Sequence, residues 1–132
     1  MNEINVVFDL PSVSEEISSD VTFLHNNGKS TIKFNYYDED MFEKEFIIEI
    51  VDVYKFIFTS DSCCNPFQIE NSYERVISFN NSNVLEEVKR NANVSGININ
   101  KESKHFMLYI SDYGCYEFVA EKISYRICDK TK

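Results

Sequence analysis

The sequence predicts a mainly β protein, an antiparallel β-sandwich or open barrel of about seven to eight strands with one short α-helix near residues 83–91. Three observations carry this. Apolar and polar residues alternate with period two through several segments. Two such runs flank a glycine-containing turn in "HFMLYISDYGCYEFVAE". Only "NNSNVLEEVKRNA" combines a helical stripe with end signals.

Taken in order, "VTFLH" followed by "NNG" and a further strand predicts an N-terminal hairpin around Gly28. In "KSTIKFNYY", Ile32, Phe34 and Tyr36 share a face, with Thr31, Lys33 and Asn35 opposite. In "MFEKEFIIEI", Phe42, Phe46, Ile48 and Ile50 share a face, with Glu43, Glu45 and Glu49 opposite. A turn at Asp38, Glu39 and Asp40 joins the two, pairing Tyr36 with Phe42, Lys33 with Glu45 and Ile32 with Phe46. Lys44 falls on the apolar side and is expected to snorkel at the sheet margin. "VDVYKFIFTS" reads as another strand with Tyr54, Phe56 and Phe58 aligned.

"DSCCNPF" reads as a connection between strands, with Asn65–Pro66 as its turn and Phe67 returning the chain to the core. The helix has Asn or Ser as N-cap, Glu86 and Glu87 early, and Lys89 and Arg90 late, in accord with the macrodipole. Residues 92–103 read as a loop. In the last hairpin, Gly114 is assigned the left-handed loop position and Ser111 is paired with Cys115. That register sets Leu108 against Phe118 and Phe106 against Ala120, with His105 beside Glu121 on a solvent face. Beyond it, the apolar phase moves from Tyr116, Phe118 and Ala120 to Ile123, Tyr125 and Ile127, which implies a bulge or bend near Glu121–Lys122.

At 132 residues, with 43% hydrophobic content, the chain fits one domain, 1–132, able to bury a core. No apolar run approaches the ~18 residues that span a bilayer. The N-terminal stretch "MNEINVVFDLPSVSEE" has no basic n-region, so no signal peptide is expected. The expected compartment is the cytoplasm, with Cys63, Cys64, Cys115 and Cys128 reduced. Net charge is −9 and is confined: residues 1–66 hold 13 acidic and 4 basic side chains, residues 67–132 hold 9 of each. Such a surface repels phosphate backbones and attracts basic protein surfaces. It also serves plain solubility.

Catalytic patterns are wanting. Cys63 and Cys64 are adjacent, so in extended backbone they point apart and cannot readily share a metal, and no second knuckle exists. No metal or cofactor is implied. A Cys–His nucleophile needs an oriented base, and a His105–Glu121 pair on a strand surface needs no chemistry. The glutamates along one strand face resemble a solvated or docking face more than a glycosidase pair in a cleft. Gly28, Gly96 and Gly114 each stand alone, which excludes the familiar phosphate loops.

Residues 53–121 resemble small bacterial proteins of the immunity type, which neutralise a toxin made by the same cell. The resemblance rests on the aromatic strand with Phe56 and Phe58, on Cys64, Ile69 and Tyr73, and on the "NS" helix start at Asn81–Ser82. It ends on the hairpin carrying His105, Tyr109, Gly114, Cys115, Glu117 and Ala120. It brings no catalytic or ligand residue with it.

The function expected is therefore a non-catalytic protein-binding module, an immunity protein set against a basic toxin or nuclease surface. Its candidate contacts are Asp38, Glu39, Asp40, Glu43, Glu45 and Glu49, with Tyr36, Tyr37 and Phe42 as aromatic anchors. Core packing competes for Phe42. Two alternatives stand beside it: a phage or mobile-element inhibitor that mimics nucleic acid with its carboxylates, and a small-molecule-binding β-barrel.

Overall fold

The computed structural model describes residues 3–11 and 17–130; residues 12–16, with Glu15 and Glu16 of the acidic half, and the extreme termini lie outside the description. The described residues form seven strands: β1 (Ile4–Asp9), β2 (Thr22–Asn26), β3 (Lys29–Tyr37), β4 (Glu43–Ser60), β5 (Arg75–Phe79), β6 (Lys104–Ile110) and β7 (Gly114–Asp129). They make one antiparallel sheet in the order β1-β5-β6-β7-β4-β3-β2. Two helices, α1 (Pro66–Ser72) and α2 (Asn83–Val94), interrupt the strands. The open-barrel form of the expectation describes this molecule, because one sheet curls and its two edge strands stay unjoined.

Aromatic contacts between distant strands demonstrate the curl. Phe8, on edge strand β1, stands 4.6 Å from Tyr125 of β7 and 6.4 Å from Phe46 of β4, ring centre to ring centre. Phe23, on edge strand β2, stacks at 4.1 Å on Phe56 of β4. The concave face so enclosed buries Ile32, Phe34, Phe46, Ile48, Ile50, Leu108 and Phe118. A smaller cluster on the convex face, with Ile77, Phe79, Met107, Tyr109 and Cys115, meets Cys64 and Ile69 of the α1 region.

Local chemistry explains most elements. In β3 the alternation is realised, with Ser30, Ile32, Phe34 and Tyr36 buried. The hairpin around Gly28 forms as expected: Asn27 (φ 53°) and Gly28 (φ 76°) both take the left-handed region that a two-residue turn requires. Helix α2 is capped by Ser82, whose Oγ accepts from the Leu85 amide, and it runs past the expected end to Val94.

Several expectations are corrected. The β3–β4 register is two residues out: Tyr36 faces Lys44, Phe34 faces Phe46 and Lys33 faces Ile47. Asp38 causes this, because its Oδ1 accepts from the amides of Asp40 and Phe42 and builds a longer turn. The faces survive, since a slip of two preserves alternation. "VDVYKFIFTS" is no new strand but the second half of β4. The irregularity placed near Glu121–Lys122 appears chiefly on the partner. Asp52 takes φ 57°, and the β4–β7 register shifts between Val53 and Lys55.

Asn65–Pro66 is a helix start, not a strand-to-strand turn. Asn65 and Gln68 form a reciprocal capping box with Pro66 in the first turn, and Phe67 stays 46% exposed. The β6–β7 hairpin is also two residues out, pairing Ile110 with Gly114 and His105 with Val119. Asp112 (φ 74°) takes the left-handed loop position expected of Gly114. Gly114 instead opens β7 at φ 143°, where an added Cβ would sit 2.3 Å from the Thr59 carbonyl oxygen.

Replacing Gly114 with alanine should therefore cost about 3 kcal/mol in urea denaturation, through steric overlap and backbone strain together. Gly28→Ala, with open space around the new methyl, should cost about 1 kcal/mol.

Candidate interaction surface

The β3–β4 turn forms a tip where charge and apolar surface coincide. Asp38, Glu39 and Asp40 occupy it, and beside them Tyr37 is 43% exposed, Met41 73% and Phe42 66%. Met41 takes φ 67°, and its amide donates to the Asp38 carbonyl, so the turn projects its side chain from a fixed backbone. Asp38 is committed to this scaffold. Lys44 braces the tip from below: its Nζ donates to Asp129 of β7 at 2.5 Å and stands 3.9 Å from Asp38.

Next to the tip lies an open recess of about 620 Å³, lined by Pro11, Ile17, Ser18, Tyr36, Tyr37, Met41 and the three acids. Tyr36 belongs mainly to the core: it is buried and packs edge-on to Phe34, and burial raises its phenol above the ordinary value. The aromatic and thioether groups truly presented are Tyr37, Met41 and Phe42. Phe42 falls outside the core that competed for it, because the longer turn removes it from the β4 ladder.

Glu43, Glu45 and Glu49 lie on the convex face of β4, on the half that the helices leave bare. They share that half with Lys33 and Arg126, and Arg126 stands 3.7 Å from Glu49. Glu43 accepts from the Ser18 hydroxyl at 3.0 Å. Tip and glutamates are thus two neighbouring patches: one purely acidic with apolar groups, the other of mixed charge.

His105 does not face solvent and does not meet Glu121. It is 4% exposed on the helix-covered half of the convex face. Its Nε2 lies 2.8 Å from Glu117 Oε1 and its Nδ1 2.9 Å from Ser82 Oγ. Gln68 Nε2 donates to Glu117 Oε2 at 2.9 Å. The signal for this burial was the nearly continuous apolar run "HFMLYI", which suits a strand covered on both faces. Nearby, Tyr109 donates to Asp61 Oδ1, while Asp61 Oδ2 accepts from the Asp112 amide.

The thiols diverge. Cys63 is exposed, and hydrogen bonds from Ser60 and Ser62 lower its pKa. Cys64 turns inward to donate to the Thr59 and Ser60 carbonyls, and burial raises its pKa. Burial also raises Cys115. Among the described residues, no three His, Cys, Asp or Glu groups stand together so as to hold a metal ion. Among them, too, no helix is long and apolar enough to cross a membrane.

Fold and surface together define an open antiparallel β protein with a half-helical convex face and an acidic, apolar-studded tip. Compared with known proteins, the chain matches no family model, no curated protein and no solved structure.

Two stability outcomes follow from the buried polar groups. Glu117→Ala strands His105 and Gln68 and should cost about 3 kcal/mol or more, with Glu117→Gln milder, by chemical denaturation. Tyr109 is pushed up to about 12, first by its hydrogen bond to Asp61 and then by burial, and Tyr116 to about 12 by burial. Both raised phenols contribute stability that is intact below the unfolded value near 10 and is lost as pH rises towards 12. Tyr109→Phe should start about 1–2 kcal/mol lower and decline less steeply through that alkaline window.

Proposed function

We propose that this chain is a non-catalytic protein-binding module of the immunity type, which neutralises a bacterial toxin in the cytoplasm by covering a basic surface of it. The observation that carries this reading is the tip, where Asp38, Glu39 and Asp40 surround exposed Tyr37, Met41 and Phe42. Charge of one sign speeds encounter with a basic active site or the groove leading to it. Aromatic and thioether groups at the same place supply buried contact area on docking. Glu43, Glu45 and Glu49 extend the contact as a rim.

Several features favour this reading over its rivals. The Ser82–His105–Glu117 grouping is sealed beneath the helices, which suits a structural role better than a catalytic one. Lys33 and Arg126 interrupt the glutamates of β4, whereas a nucleic-acid mimic needs an unbroken negative track. A gap in the concave interior, among Ile32, Ile48, Val76 and Phe118, has no room for a water molecule, so the barrel there is a packed core.

The test is whether a neighbouring gene encodes a toxin that this chain binds, with rescue of growth as the cellular readout. The double substitution Glu39→Lys with Asp40→Lys should weaken binding about tenfold or more, mainly through the association rate, and most strongly at low salt. Tyr37→Ala with Phe42→Ala should act mainly on dissociation. Both sets spare Asp38 and leave the fold intact. Binding and rescue unchanged by either set would overturn the assignment.

A further inference from the structure

Few apolar side chains of the helical layer are fully buried against the sheet, although Phe67 stacks on Phe79 at 5.9 Å. The buried residues of α1 are Gln68 and Ser72, both polar, and that of α2 is Leu85 alone. Beyond the small cluster at Ile69, Cys64 and Phe79, a chain of hydrogen bonds joins the two helix N-termini through the sheet.

Chemistry fixes part of that chain. A carboxylate only accepts, so Glu117 Oε1 accepts a hydrogen bond from His105 Nε2, and Glu117 Oε2 accepts one from the Gln68 amide. His105 Nδ1 lies 2.9 Å from Ser82 Oγ, where a neutral ring accepts from the hydroxyl and a protonated ring donates to it. The Ser82 oxygen in turn accepts from the Leu85 amide and so caps α2. At the other end, Gln68 Oε1 accepts from the Asn65 amide while Asn65 Oδ1 accepts from Gln68, which caps α1. Hydrogen bonds thus run without a break from one helix cap to the other.

We propose that the Gln68–Glu117–His105–Ser82 relay is a latch that makes α1 and α2 dock and release as one unit, able to lift from the convex face while the sheet stays folded. Breaking one end leaves a buried group unpaired in the middle, and the bonds polarised through that group to the other helix weaken with it. The inference is independent of what the acidic tip binds.

Native-state hydrogen exchange of the intact chain reads it directly. Ser82→Ala, at the α2 end, should accelerate exchange of the α1 amides as well as those of α2 by about tenfold, with β4 and β7 unchanged. Gln68→Leu should do the reverse, loosening α2 from the α1 end. Ser82→Thr keeps the hydroxyl and should restore protection in both helices. Nitrogen chemical shifts should show a proton on His105 Nε2. Acceleration confined to the helix that carries the substitution, uniform acceleration of helices and strands alike, or a His105 ring with no proton on Nε2 would each overturn the latch.

Discussion

Everything in this molecule is positioned by the ladder between β4 and β7. The two strands run antiparallel from Lys44–Asp129 at one end to Ser60–Gly114 at the other. A flat ladder of that length would leave both faces open. The left-handed residue at Asp52 and the register shift after Val53 bend it at mid-length, and a bend of this kind increases local twist. The edge strands are thereby swung inward until Phe8 and Phe23 reach the aromatic groups of the ladder itself. Concavity, and with it the single large core, follows from that irregularity.

The curl divides the labour between faces. Inside, side chains from across the sheet pack into the core cluster. Outside, strands β5, β6 and one half of β7 are roofed by the helices, while the remaining half of β7, with β4 and β3, carries Glu45, Glu49, Lys33 and Arg126 into solvent. The β3–β4 turn projects beyond the sheet, braced by Lys44 across to Asp129. A turn braced in this way would lose little conformational freedom in the association proposed for it.

Faces were legible in the sequence, but registers and cover were not. Alternation has period two, so it assigned Ile32, Phe34, Phe46 and Ile48 to the core correctly while tolerating slips of two residues in both hairpins. Those slips came from turn chemistry: the carboxylate of Asp38 lengthened one loop, and Asp112 took the left-handed position in the other. Helix α1 was missed because seven residues with polar buried positions give no apolar stripe. Its one signal was the Asn-x-x-Gln box around Pro66, and the Asn–Pro pair reads equally well as a turn. The burial of His105 depends on helices outside its own hairpin, so a local reading of β6 and β7 placed it in water. At the tip, the acids were recognised from sequence, and Phe42 became an exposed group only once the longer turn was known.

Net charge alone decides little about this surface. An open sheet whose edge strands β1 and β2 have no outer strand among the described residues invites strand pairing between molecules, and an excess of negative charge opposes it. Much of the −9 can be understood as protection of those edges, and charge for that purpose would be spread over the surface with apolar side chains kept away from it. The tip departs from that pattern. Three acids there stand around three exposed apolar groups, on a turn whose backbone is held by Asp38 and whose base is tied to β7. Solubility gains nothing from exposing Met41 and Phe42, and folding would be served as well by polar residues. The proposed recognition of a basic protein draws on long-range attraction and short-range apolar contact together, and the tip sets both on one turn held by Asp38.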